Sequence, residues 1–155
     1  MDQFETLINE LGAATGIEGL RPDEDGAVQL LFGDALPVFI QPDPEREYVS
    51  LYAVVGLVGE TIRGPLMLEL LSASLFGREA NGATFAIEET MGQIVLQRQE
   101  RLAGLTYAGF QRVLESFIEA AEAWMQRLSP EADAEESRWT QPTASDELSQ
   151  HHLRA

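Results

Sequence analysis

The 155 residues, 45% hydrophobic and 8% aromatic, suffice for one globular domain, with or without a tail, whose core needs no covalent or metal staple. Twenty-six acids against ten bases, every one of them Arg, give a net charge of −16, which argues against nucleic acid and against anionic membrane surfaces as partners. The absence of Cys excludes a disulfide framework, thiolate catalysis and Cys-ligated zinc.

Phe4, Leu7, Ile8 and Leu11 recur at i, i+3, i+4 and i+7, one apolar stripe on a first helix. Asp2 followed by Glu5 is a carboxylate capping box at its start, and Gly12 and Gly16 bracket its end. The period then changes. Val28, Leu30 and Phe32 alternate, Gly33-Asp34 turns, Leu36 to Gln41 makes a second strand closed by Pro42-Asp43-Pro44, and Tyr48 to Val55 makes a third. Strands joined by short, turn-rich links predict an antiparallel meander.

Gly64-Pro65 opens a second helix that runs to about Phe76, with Pro at a position where its missing N–H is harmless. Leu66, Met67, Leu68, Leu70, Leu71, Ala73, Leu75 and Phe76 leave only Glu69, Ser72 and Ser74 as polar residues. A helix that is apolar nearly all round must be covered on more than one side, and another subunit is the expected second cover. A glycine-containing link then leads to a hairpin. Ala83, Phe85 and Ile87 alternate, Glu89 to Gly92 turns, Ile94 to Gln99 returns, and Gln97 to Arg101 is expected to be solvated.

Thr106 is a good N-cap for the last helix, with Leu105 and Phe110 as a hydrophobic staple. Phe110, Val113, Leu114, Phe117, Ile118, Ala121, Trp124, Met125 and Leu128 keep helical spacing until Pro130. The order α-β-β-β-α-β-β-α predicts an α+β fold, a mostly antiparallel twisted sheet with helices packed on it. From Pro130 onward six acids, two Arg and both His stand among Pro, Ser, Thr and Gln. The predicted division is therefore a globular domain over 1–129 and an acidic, disordered tail over 130–155, with Trp139 the tail's one large apolar anchor.

Several local patterns carry a family resemblance. Leu70-Leu71-Ser72-Ala73-Ser74-Leu75-Phe76, Gly82-Ala83-Thr84-Phe85-Ala86-Ile87, Gly92-Gln93-Ile94-Val95-Leu96 and Phe117-Ile118-Glu119-Ala120-Ala121-Glu122-Ala123-Trp124 follow one another in order, after an opening Phe4-x-x-Leu7-Ile8-x-x-Leu11-Gly12. In that order they resemble the class I type III secretion chaperones, the Tir-chaperone (CesT-type) family, over residues 1–129. Ser74 stands where that family usually has Asn.

The resemblance implies a homodimer in the bacterial cytoplasm that binds the N-terminal segment of one or more secreted effector proteins, extended and non-globular. It also implies a link to virulence, and release of the client by the ATPase of the secretion apparatus. The residues alone leave open whether the apolar strand faces are packed or exposed; the resemblance implies an exposed groove. Its expected lining is Phe4, Leu7, Ile8, Val28, Leu30, Phe32, Val38 and Ile40, on the first helix and first two strands. The expected dimer interface is Leu66, Met67, Leu70, Leu71, Ser74 and Leu75.

Other chemistries find little support. His151-His152 lack a carboxylate at fixed spacing, so no metal site is expected there. Asp23-Glu24-Asp25-Gly26 resembles a calcium loop, but Arg21 stands where an EF-hand needs an acid, and a strand follows instead of a helix, so a turn is expected. Glu88-Glu89 and Asp43, Glu45 and Glu47 supply carboxylates without a His, Cys or Lys partner in the globular part. No phosphate-binding glycine motif occurs, and no catalytic residue or cofactor is expected. Three further classes stay open: a regulatory or adaptor protein of the same fold that binds a folded partner, an anti-activator role alongside chaperoning, and a small-molecule-binding or catalytic α+β domain. The acidic start, Met1 to Glu5, and the longest apolar run of nine residues predict neither an export signal nor a membrane span.

Overall fold

In the computed structural model, residues 2–59 and 64–129 are described. The elements are α1 (Gln3–Thr15), β1 (Val28–Phe32), β2 (Leu36–Asp43), β3 (Tyr48–Leu57), α2 (Gly64–Ser74), β4 (Thr84–Glu88), β5 (Gln93–Arg101) and α3 (Tyr107–Arg127). The order and the α+β class are those read from the sequence. The proposed tail lies outside the described residues.

Local signals set the helix ends. Asp2 accepts from the Glu5 amide at 2.8 Å while Glu5 reaches back to the Asp2 amide at 3.3 Å, so two donors that the first turn leaves unpaired are satisfied reciprocally. Gly16 closes α1 in the left-handed conformation. Thr106 caps α3 by accepting from the Gly109 amide at 3.2 Å. The second helix ends sooner than its apolar run suggests: the α-helix stops at Ser74, and Leu75–Gly77 form a single tighter turn with Phe76 at φ 54°. The second strand, in turn, runs on through Pro42 to Asp43, opposite Val49 and Tyr48.

All strands pair antiparallel in the order β1-β2-β3-β5-β4, leaving β1 and β4 as edges. The register slips between Val54 and Gly56, a bulge in β3. Over that bulge the side chain of Leu128, at the end of α3, lies so close to Gly56 that an added Cβ would stand 3.2 Å from it.

One face of the sheet forms the core. Val28 and Leu30 of β1, Leu36, Val38 and Ile40 of β2, Val49, Leu51 and Ala53 of β3, and Ile94 and Leu96 of β5 are buried with Phe4, Leu7, Ile8 and Leu11 of α1 and Phe110, Leu114, Phe117 and Trp124 of α3. Burial of this kind contributes about 1.5–3 kcal/mol per large apolar side chain. α2 lies alongside β4 and is tied to α3 by an ion pair between Glu69 and Arg127, whose guanidinium also covers the Trp124 ring at 4.8 Å. Arg98 departs from the expectation that Gln97 to Arg101 is solvated. Its side chain is mostly buried on the helix-covered face, paired with Glu100 at 2.7 Å and donating to the Asn81 carbonyl at 2.6 Å.

Candidate functional site

Strand side chains alternate between faces, so a sheet with helices on one face presents its other face as a second surface. Here that surface carries Gln29 and Leu31 of β1, Pro37, Phe39 and Gln41 of β2, Ser50, Tyr52 and Val54 of β3, Val95, Gln97 and Gln99 of β5, and Thr84 and Ala86 of β4, all exposed or half-buried. None of its apolar members packs against the core.

Register arranges these side chains in rows. Gln29, Phe39, Tyr52, Gln97 and Thr84 are successive cross-strand partners, and the Phe39 and Tyr52 rings stack with centroids 4.9 Å apart and planes 8° from parallel. One step toward the bulge, Leu31 opposes Pro37, and Val54, Val95 and Ala86 oppose one another in turn. One step the other way, the Gln99 amide donates to the Ser50 hydroxyl at 3.2 Å. No charged side chain stands among these residues, although the whole chain carries −16; Asp43, Arg101 and Glu88 share the face but stand at the ends of their strands, at its margin. The arrangement is an apolar and amide-rich platform that another chain can cover without desolvating an ion.

The groove expected from the sequence falls on the opposite face. Phe4, Leu7, Ile8, Val28, Leu30, Val38 and Ile40 are buried inside the chain, and Phe32 is half-buried against them. The period-two reading correctly grouped Val28 with Leu30 and Val38 with Ile40. The apolar stripe of α1, however, is the cover of that face. The side chains left outside are the alternate ones, Leu31, Phe39, Tyr52, Val54 and Val95. The signal that could have found them is the glutamine series Gln29, Gln41, Gln97 and Gln99, which marks the solvent-side parity of β1, β2 and β5.

A second apolar surface lies on α2 and the Leu75–Gly77 turn that follows it. Of the expected interface residues, Leu71 and Leu75 are 71% and 54% exposed, while Leu66 and Met67 are half-buried against the core. Leu70 is buried within the chain, and Ser74 bonds inward to Leu70 and Phe85. Leu68 and Phe76, 67% and 81% exposed, extend the surface beyond the residues expected.

The acidic groups are occupied locally. Asp23 accepts from the amides of Asp25 and Ala27 at 3.0 and 2.9 Å, the geometry of a side-chain-closed turn. Asp43 caps the Arg46 amide. Glu88 accepts from the Met91 and Thr90 amides at 2.9 Å each, and those bonds hold its carboxyl below the usual range, that to Met91 most strongly. Among the described residues no group of three or more His, Asp or Glu side chains is arranged to hold a metal, and no helix is long and apolar enough to cross a membrane. His151 and His152 lie outside the described residues.

The sequence profile of the Tir chaperone protein (CesT) family matches residues 6–125. The chain belongs to that family. A Chlamydia pneumoniae protein is 31% identical over 127 residues, which cover 81% of this chain and 95% of that one. The transcriptional anti-antiactivator ExsC of Pseudomonas aeruginosa is 29% identical over 131 residues, covering 83% of this chain and 88% of ExsC. Among solved structures, a chain of the ExsC–ExsE complex superposes with a TM-score of 0.72 at 28% identity, over 84% of this chain and 98% of that one. A chain of the HopA1–SchA chaperone–effector complex shares the fold, with a TM-score of 0.68 at 15% identity over 80% of this chain and 94% of that one.

Proposed function

We infer that this protein is a cytoplasmic secretion chaperone, not an enzyme, that works as a homodimer and holds the N-terminal segment of a secreted effector. The observation that carries the reading is the uncharged, apolar centre of the open sheet face around Phe39, Tyr52, Val54 and Val95, on a member of a chaperone family. Apolar client side chains bury against this face, and the unpaired edge of β1 offers backbone hydrogen bonds to an extended stretch of the same client. The exposed side of α2 and of the turn after it, with Leu68, Leu71, Leu75 and Phe76, is the surface by which two copies join. Release of the client at the secretion apparatus falls to that apparatus's ATPase.

Co-purification tests this. The wild-type protein should retain the unstructured N-terminal fragment of a secreted protein encoded beside it. Tyr52→Asp and Val95→Asp should lose that fragment while the melting temperature stays near wild type. Retention of the client by a folded Tyr52→Asp, Val95→Asp double variant would overturn the assignment of the face.

A second reading draws on the likeness to ExsC. In it the protein is a regulatory adaptor whose partner is a folded regulator. Retention of a folded regulator, and of no unstructured fragment, would favour it.

A further inference from the structure

The two ends of the open sheet face differ in charge. At one end Asp43, Tyr48 and Arg101 are successive cross-strand partners, so both signs are present, and Arg46 pairs with Asp43 at 3.8 Å. At the other end Leu57, Gln93 and Glu88 are partners across β3, β5 and β4. The β1–β2 and β4–β5 turns lie at that same end and add Asp34 and Glu89, both exposed. None of the described residues in those strand ends and turns is basic. Arg127, at the end of α3, lies over Trp124 on the helix-covered side and is paired with Glu69.

Glu88 is fixed in place at this acidic end. One carboxylate oxygen accepts from the Thr90 amide and the other from the Met91 amide, each at 2.9 Å. An ionised carboxyl has about four acceptor sites, so each oxygen keeps one for a cationic donor. Leu57, on the far side of Gln93, is 70% exposed. Neighbouring strands lie about 4.8 Å apart, so a long basic side chain above Gln93 lays its methylenes on Leu57 while its head reaches Glu88. From Gln93 to the row of Ser50 and Gln99 is about 20 Å of strand. The side chains facing outward over that length are uncharged.

We propose that the open face selects extended partner segments in which an uncharged stretch of about six residues, apolar at alternate positions, ends in a Lys or Arg placed above Gln93. This rests on the client role proposed above and names the class of sequence that the site takes. Alternate side chains of the stretch meet the Phe39–Tyr52 and Val54–Val95 rows, and the base meets Glu88 and Glu89. An acid in its place faces two like charges, which rejects wrong partners as effectively as the base attracts right ones. The same base at the opposite end meets Arg101, so charge also sets which way the segment lies.

Phage display of a random dodecapeptide library on the full-length protein tests this. Subtraction on the Tyr52→Asp, Val95→Asp double variant removes peptides held by charge alone. The selected peptides should carry an uncharged run bounded at one end by Lys or Arg. Changing that base to Glu should weaken binding about tenfold or more at low salt, and by much less at about 0.5 M salt, where screening is strong. Selection on a folded Glu88→Gln, Glu89→Lys variant should lose the preference for the base. No enrichment over the double variant, enriched runs without a basic end, or a basic preference unchanged in Glu88→Gln, Glu89→Lys would each overturn the proposal. Its failure is separable from that of the client role. A client that co-purifies while selection shows no basic end removes only the sequence rule. Basic-ended peptides selected while no client co-purifies remove only the client role.

Discussion

The backbone amide of Phe85 donates to the Ser74 hydroxyl at 2.9 Å, so the end of α2 supplies a partner to the edge strand β4. The same hydroxyl donates to the Leu70 carbonyl at 2.8 Å, which fixes its orientation. Ser74→Ala removes both bonds and leaves a part-buried amide without an acceptor. Urea denaturation should show a loss of about 1–3 kcal/mol, and Ser74→Thr, which keeps the hydroxyl, should lose less.

Leu70 and Leu71 are adjacent and have opposite assignments, which separates folding from association. Leu71→Glu together with Leu75→Glu places charges on exposed positions, and light scattering should return one subunit's mass with a near-native melting curve. Leu70→Glu buries a carboxylate and should unfold the chain. A stable dimer of the Leu71→Glu, Leu75→Glu variant would show that the subunits meet elsewhere.

Gly77 has φ 62°, and a Cβ there would stand 2.5 Å from the Gly82 Cα. The Gly82 amide also donates to the Gly77 carbonyl at 2.9 Å, so the two backbones close a loop that has no room for a side chain. Gly77→Ala combines an unfavourable backbone conformation with a backbone clash. A loss of about 3 kcal/mol or more is expected, read by circular dichroism as a melting point lower by roughly 10 °C.

Glu88 gives a pH signature. Its carboxylate accepts the Met91 and Thr90 amides, which depresses the folded-state pKa below the unfolded value. Its contribution is present above the unfolded pKa and is lost as pH falls through the folded one. Carboxyl-detected NMR should find Glu88 titrating below the value of a glutamate in an unfolded peptide. Glu88→Gln should flatten that part of the acid-stability profile.

What the sequence discloses depends on range. The ends of α1 and α3 were legible because Asp2, Glu5, Gly16 and Thr106 act within a turn of themselves. The strands were legible from period two. Which side of β2 and β3 faces the core was not, because Leu36, Val38 and Ile40 alternate with Pro37 and Phe39, and Val49, Leu51 and Ala53 with Tyr52 and Val54. Both parities are apolar, and only the long-range placement of α1 and α3 separates them. The same holds for α2, where an all-round apolar pattern hides the difference between buried Leu70 and exposed Leu71.

The strand order has a consequence for how the chain is made. β1, β2 and β3 join neighbours in sequence through short turns, whereas β3 pairs with β5 only after α2 and β4 have been synthesised. The central seam therefore depends on a non-local pairing, the kind that slows folding. Until that pairing forms, the nascent meander presents the edge of β3, a strand that ends buried in mid-sheet, to any other strand nearby. Refolding yield should accordingly fall as chain concentration rises, with the losses incurred before β5 docks.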